Sequence, residues 1–492
     1  IMQTGMNRKS FCLVNSTFPN KVLGLVLPVI FILASIPVVQ TGWTSDTDRS
    51  LGIVELWNFE TDDLVWSVSW IPDVDGDGIC DIIAGSWDKN VYCLSGADGE
   101  LIWNHTMNSG VRFVAVLPSV EIENTPGVVA ATRDEVCLLR GEDGSEIWRF
   151  SEGGTSLDST GTSLIPDVDD DGIAEIVADS QIFNKTFLLS GVNGRVLWTF
   201  DHLWWWWAGV ARVHNIYTRS NVVLWLPDYI VCLNSSTGEE LWRQRGLYGG
   251  PSFTQSVVCA PLAENVDVIV GAAEGCYVLR EIDGGLIWGR EFPTTVGLAV
   301  WDLEIIADID GDRIDDVLEG GWDNYVRALS GADGTTIWEC RDPLFYDHPP
   351  EALTSIQDLN GNGISDVLVG TGGGYVCLLE GANGHLLSQH RLSSVVNRSA
   401  TFETPKMSDV SDLVTIPDVN GDGIEDILVG SYDHRVYLLA YCHIPPEIPP
   451  EIPPEIPPEP FFKTPLGIAT ISGAIATIMI ASLVILKRRK IR

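Results

Sequence analysis

Short runs of alternating apolar and polar residues follow one another along most of the chain. Each run is bounded by Gly, Asp or Asn, the pattern of half-buried strands joined by tight turns and not of amphipathic helices. Around the segment DVDGDGICDIIAGSWDKNVYCLSGADGELIW, Asp73 to Trp103, the alternation predicts strands near Val68–Ile71, Asp81–Gly85, Val91–Ser95 and Leu101–His105. The segment recurs in altered form, and its clearest mark is a tryptophan after a glycine turn. GADGELIW ends at Trp103, GEDGSEIW at Trp148, GVNGRVLW at Trp198, SSTGEELW at Trp242, EIDGGLIW at Trp288 and GADGTTIW at Trp338. A seventh copy, GANGHLLS, carries Ser388 where tryptophan is expected, and an eighth, HRVYLLAYC, stops at Cys442 with no turn and no closing strand.

The missing strand lies at the other end, where VELWNFE presents Trp57 with no repeat before it. A period of about 45 to 50 residues holding four short strands signals sheets that bury their faces only against their neighbours. An open solenoid would need two capping repeats, whereas this chain offers one repeat split into complementary halves. The expected fold is all-β: an eight-bladed β-propeller of four-stranded antiparallel blades over residues 43–443, closed by strands from both termini.

The flanks differ from this domain. Residues 444–465 include IPPEIPPEIPPEIPPEP, whose prolines favour polyproline II and would extend roughly 50 Å as a stalk. Residues 466–486 carry no charge and would span about 31 Å as a helix, the thickness of a bilayer core. Residues 487–492, KRRKIR, then predict a cytoplasmic tail and an external propeller. Residues 1–42 contain an uncharged stretch, Val22 to Val39, after Arg8, Lys9 and Lys21, a secretory signal or a second anchor. Either reading puts the propeller outside the cytoplasm.

A net charge of -37 excludes nucleic acid as a natural partner. Ten cysteines in an exported chain raise the question of disulfides, but Cys93, Cys137, Cys232 and Cys377 fall at one strand position in four blades and read as small core residues. Cys340 and Cys442 remain open to a local bridge.

Much of the negative charge sits in five loops of fixed spacing: DVDGDGICD, DVDDDGIAE, DIDGDRIDD, DLNGNGISD and DVNGDGIED. Positions one, three, five and nine hold Asp, Asn or Glu, an arrangement that turns oxygens inward for a hard cation of calcium's size, with the position-seven carbonyl as a further ligand. The expected calcium ligands, for up to five ions, are Asp73, Asp75, Asp77, Ile79 and Asp81; Asp167, Asp169, Asp171, Ile173 and Glu175; Asp308, Asp310, Asp312, Ile314 and Asp316; Asp358, Asn360, Asn362, Ile364 and Asp366; and Asp418, Asn420, Asp422, Ile424 and Asp426. Loop four has the fewest charges and should bind most weakly. Asp170 and Arg313 stand where the other loops keep glycine and should strain their turns. The plainer alternative, hairpin turns alone, accounts for one such loop better than for five.

An acidic loop, a hydrophobic strand and a hairpin, as in residues 73–89, resemble the FG-GAP repeat of integrin α-subunit propellers and many prokaryotic surface proteins. The GADGxxxW element is similar to the docking turn of PQQ-like repeat propellers. The resemblance implies calcium on one face and partners on the other. On that second face it implies Trp66, Trp87 with Asp88, Trp204, Trp205, Trp206 and Trp207, Trp322 with Asp323, and Tyr432 with Asp433, joined by Phe345 and Tyr346. An aromatic beside a carboxylate suits a sugar ring or a peptide side chain; the plainer reading is that Asp shapes the turn and the ring packs between blades.

Catalytic signatures are sparse: no HExxH, no GxSxG elbow and no haem CxxCH. A quinone-dependent dehydrogenase or a calcium-dependent polysaccharide lyase is the enzymatic alternative, and an envelope-assembly scaffold the non-enzymatic one. The expectation is a non-enzymatic, membrane-anchored surface propeller for adhesion or recognition of an extracellular protein or glycan.

Overall fold

Residues such as VWSVSWI and DIIAGS are rich in β-branched and aromatic side chains, which fit a pleated and half-buried surface. The computed structural model describes residues 50–444, apart from 119–125, 153–160, 181–183, 203–208, 211, 214–220, 227–228, 246–253, 263–265, 273–274, 292–299, 347 and 393–408. The described residues form eight sheets, the blades of a propeller. The first blade consists of β2 (Val65–Ile71), β3 (Asp81–Ser86), β4 (Asn90–Leu94) and β5 (Leu101–Thr106), paired antiparallel in that order. These strands match the predicted ones to within a few residues.

β1 (Ser50–Glu60) belongs to the last blade, as its lone Trp57 implied. It pairs antiparallel with Arg435–Ile444, in register from Ser50 opposite Ile444 to Glu60 opposite Arg435, and the sheet continues through Asp426–Ser431 to Val410–Ile416. The first and last described strands thus complete one blade and close the ring.

Regularity fails around blades four and five. The innermost strand of blade four is only Gly209–Val210, and Arg212–Val213 pairs in parallel with Thr254–Pro261 of blade five. The four-stranded antiparallel plan holds round the ring, and this two-residue parallel pairing adds a fifth strand to the sheet of blade five.

The core lies between blades. One apolar cluster joins Ile71, Val91 and Trp103 of the first blade to Val111, Val128 and Leu139 of the second, and equivalent clusters recur round the ring. Cys93, Cys137, Cys232 and Cys377 are fully buried free thiols within such clusters, and Cys340 and Cys442 are also free. Their register differs from expectation. Cys93 and Cys232 lie opposite the closing tryptophans Trp103 and Trp242, whereas Cys137 and Cys377 lie one residue earlier and so project from the other sheet face.

Each closing tryptophan locks its blade to the next. The indole Nε1–H donates to a carbonyl in the neighbouring blade's turn: Trp57 to Gly96, Trp103 to Gly141, Trp148 to Gly191, Trp198 to Ser235, Trp242 to Glu281, Trp288 to Gly331 and Trp338 to Gly381, at 2.5 to 2.9 Å. The ring packs flat on the turn's left-handed glycine. At Gly144, φ is +67° and a Cβ would lie 2.5 Å from the Trp103 ring, so only glycine fits. Ser388 now has an account. The next blade's outer strand is β1, so no turn links its last two strands and a tryptophan at 388 would have nothing to dock on; His390 Nδ1 instead lies 3.1 Å from the Ile53 carbonyl.

Among the described residues no helix is long and apolar enough to cross a membrane; segments 22–39 and 466–486 lie outside them, as does the proline stalk.

Candidate metal centres and the opposite face

Antiparallel order puts the β2–β3 loop and the β4–β5 turn at one end of a blade. The β3–β4 hairpin and the link to the next blade lie at the other end. The acidic loops therefore share an end with the tryptophan-docking turns, and the aromatic hairpins occupy the opposite face.

In the loops, position one organises the backbone. Asp73 accepts from the Gly76 N–H through Oδ1 at 2.6 Å and from the Gly78 N–H through Oδ2 at 2.9 Å. Asp308, Asp358 and Asp418 repeat this, and Asp167 accepts from Asp171 and Gly172. Position five accepts the N–H of position seven, as in Asp77 to Ile79 and Asp312 to Ile314. The position-seven isoleucines are half-buried, and Ile79, Ile173, Ile314 and Ile424 pack against the inter-blade cores. Asp170 and Arg313 have φ of +62° and +75°, the left-handed strain their sequences foretold, which costs about 1 kcal/mol each.

Position nine is buried. Asp81, Glu175, Asp316, Asp366 and Asp426 each have 0 % exposure and each accept the N–H of position two. Asp81, Asp316 and Asp366 also accept from Gly96, Gly331 and Gly381 in the docking turn, so one carboxylate ties three segments of its blade. In the last blade, which has no such turn, the Asn420 side-chain amide donates to Asp426 instead at 3.1 Å.

Burial pushes Glu175 up to about 8, with Asp169, Asp167 and Asp171 adding to the rise, and pushes Asp316 and Asp426 up to about 6. Asp81 and Asp366 are raised for the same reason. Glu175 Oε1 is buried without a hydrogen-bond partner among the described residues. Carboxylate oxygens of Asp167, Asp169, Asp171 and Glu175 lie within 4.8 Å of one another, as do those of Asp73, Asp75 and Asp81 and those of Asp308, Asp310 and Asp316. Two ligands on opposite sides of one calcium ion at about 2.4 Å would be about 4.8 Å apart, so each group fits a single ion. Asp77 and Asp312 are not drawn into their groups. The ion pairs found among the described residues engage other carboxylates.

On the opposite face Trp66, Trp87 and Tyr432 come together. Trp66 stacks on Trp87, centroids 5.5 Å apart at 12°, and lies 5.2 Å from Tyr432 of the last blade. Trp322 is remote from them and stacks at 5.2 Å on Trp301, which the sequence reading overlooked. Trp87 and Trp322 are among the more exposed large apolar residues, at 38 % and 40 %. The neighbouring carboxylates serve their own hairpins: Asp88 accepts from Asn90 and Tyr92, Asp323 pairs with Arg327, and Asp433 accepts from Tyr437. Phe345 lies in an inter-blade link at this face, but its side chain is fully buried and cannot meet a ligand. Trp204–Trp207 lie outside the described residues, as does the Tyr346 side chain.

Eight blades, joined at seven of their junctions by tryptophans that dock on glycine turns, define a PQQ-like repeat propeller. The family model described as "Outer membrane protein assembly factor BamB" matches residues 41–200 and 227–442, and the chain belongs to that family. Among solved structures it is similar to BamB from Moraxella catarrhalis, at 16 % identity and TM-score 0.52 over 80 % of this chain and 99 % of that one. It is similar also to Saccharomyces cerevisiae Sqt1, at 11 % identity and TM-score 0.59 over 79 % and 98 %. At these identities the likeness is one of fold. A segment of 54 residues is 37 % identical to lambda-carrageenases of Pseudoalteromonas sp and Pseudoalteromonas carrageenovora, and covers 11 % of this chain and 6 % of those enzymes.

Proposed function

We propose that this chain is a calcium-stapled, non-enzymatic propeller that acts outside the cytoplasm as a protein-binding scaffold. The observation that carries the calcium reading is the set of five position-nine carboxylates at 0 % exposure, with further carboxylates converging on them in three loops. An ionised carboxylate is costly to bury without a counter-charge, and oxygen-only donor sets of this kind suit calcium better than zinc or copper. The likeness of the loops to FG-GAP repeats supports the same ion. Membership of a family described as an assembly factor favours a scaffold over adhesion to a protein or glycan ligand. The carrageenase-like segment covers too little of those enzymes to support an activity here. External placement rests on the expected signal or anchor, stalk and C-terminal helix.

Five structural ions would stabilise the fold through their binding free energy, about 2.7 kcal/mol for each site held at a hundredfold excess over its Kd. Thermal unfolding with calcium and with EDTA, together with native mass spectrometry, tests this. Several bound calcium ions and a fall in Tm of about 10 °C or more on chelation are expected. An unchanged Tm and a metal-free mass would leave the loops as turns.

A further inference from the structure

In four blades the repeat places a residue in or just before the innermost strand, seven positions before the first acidic-loop residue. It is Trp66 in blade one, Trp301 in blade six, Glu351 in blade seven and Ser411 in blade eight. Fourteen positions after the start of the loop come the hairpin residues Trp87, Trp322, Gly372 and Tyr432. Blades one and six fill both positions with stacked tryptophans. Blade seven fills neither: a carboxylate stands against a glycine hairpin, and a Cβ on Gly372 would come within 2.9 Å of Glu351 Oε1.

Asp409 lies beside it, 7 % exposed, its carbonyl accepting from the Tyr432 N–H at 3.0 Å. Burial and then the Asp409 charge push Glu351 up to about 8, and burial pushes Asp409 up to about 6. Both carboxylates, with Asp412, act on the Tyr432 hydroxyl. Asp412 is engaged by the N–H groups of Val68 and Leu413. Among the described residues no side-chain hydrogen bond or ion pair engages Glu351 or Asp409. The result is a pair of desolvated acceptors beside Tyr432, whose ring lies 5.2 Å from Trp66, on the face away from the acidic loops.

We propose that Glu351 and Asp409, beside Tyr432 and its neighbour Trp66, bind a basic side chain, lysine or arginine, of the partner protein. The inference rests on reading this face as the partner face. A cation would supply the charge both carboxylates lack and could lie against the aromatic rings. The strongly acidic molecule would steer a basic segment toward it. A neutral sugar could stack on the same rings but would leave both charges uncompensated.

The test uses the full chain with calcium in excess, so that the acidic loops are filled. Fluorescence anisotropy measures binding of labelled tetralysine, with cellohexaose and tetraglutamate as comparison probes. We expect tetralysine to bind and the Glu351→Gln/Asp409→Asn double variant to bind it at least tenfold more weakly. Glu239→Gln, which removes an exposed charge at the opposite end of a blade, should change it less than twofold. Equal affinity of wild type and double variant, or no binding of tetralysine by wild type, overturns the proposal. Cellohexaose binding that is lost in Trp66→Ala and kept in the double variant also overturns it, while leaving the face a recognition surface. Tm of the double variant at or above that of wild type checks that weakened binding is not unfolding.

Discussion

Blades one and two are neighbours with the same four-stranded plan, yet they meet one structural need by different means. In both, the first glycine of the docking turn receives the preceding tryptophan on its carbonyl and must satisfy its own N–H. In blade one the Gly96 N–H donates to the Asp81 carboxylate at 3.1 Å; in blade two the Gly141 N–H donates to the Pro126 backbone carbonyl at 3.0 Å. Blade two has no acidic loop, and its strands Val111–Leu117 and Gly127–Thr132 are as regular as those of blade one. The fold therefore needs an acceptor at this place but not a charge. A fully buried carboxylate is an expensive way to provide one, and the comparison points to a cation as the reason for it.

Chelation should separate the two blades most strongly. Amide exchange in Asp81–Ser86 and Asp366–Thr371 should rise tenfold or more in EDTA, while Gly127–Thr132 stays within about threefold of its calcium-loaded rate. Equal acceleration in all three strands would mean that calcium acts on global stability only, and no acceleration would remove it as a staple.

Asp81→Asn sharpens the contrast by keeping shape and removing charge. Without calcium the variant should be more stable than wild type by about 1–2 kcal/mol, and with calcium less stable by a similar amount. Denaturant titrations under both conditions check this reversal. The same sign in both would show that the aspartate is only a hydrogen-bond acceptor, like the Pro126 carbonyl.

Acidity gives a broader, smaller effect. Burial raises Glu175, Glu319 and Glu351 to about 8, and Asp316, Asp409 and Asp426 to about 6. A carboxyl whose folded pKa is raised contributes stability that is fully present below its unfolded value and is lost as pH rises through the folded value. In EDTA, Tm should fall between pH 5 and pH 8. Calcium should flatten the part owed to Glu175, Asp316 and Asp426 and leave the part owed to Glu319 and Glu351. A calcium-independent slope would place the loop acids outside any metal site.

Much of this was legible because the docking turn and the acidic loop are local patterns written out repeatedly. Trp57 announced the closing strand, and the spacing of the loops singled out position nine, though not its burial. The two carboxylates proposed to bind a cation were not legible in the same way. Glu351 and Asp409 lie 58 residues apart and in different blades, and only the structure shows that the tryptophans at the Glu351 position of other blades are stacked. The cysteine register differs because apolar runs of equal length match equally well one residue out of step, and such a shift reverses the face. The irregular innermost segment shared by blades four and five has no sequence signature at all.

The smallest effect concerns the junction that breaks the tryptophan pattern. Trp338→Phe removes the Nε1–H bond to the Gly381 carbonyl and should cost about 1 kcal/mol. Ser388→Trp restores the repeat's consensus on paper, yet the following blade ends in β1 and has no turn to receive an indole. The new ring would stay exposed or crowd its neighbours, so the substitution should be neutral or destabilising by up to about 1 kcal/mol. Thermal denaturation of both variants decides the matter. A clear gain in stability at 388 would mean that β1 and the strand Arg435–Ile444 offer a docking surface equivalent to a turn, and that the closing junction differs from the others only in lacking its tryptophan.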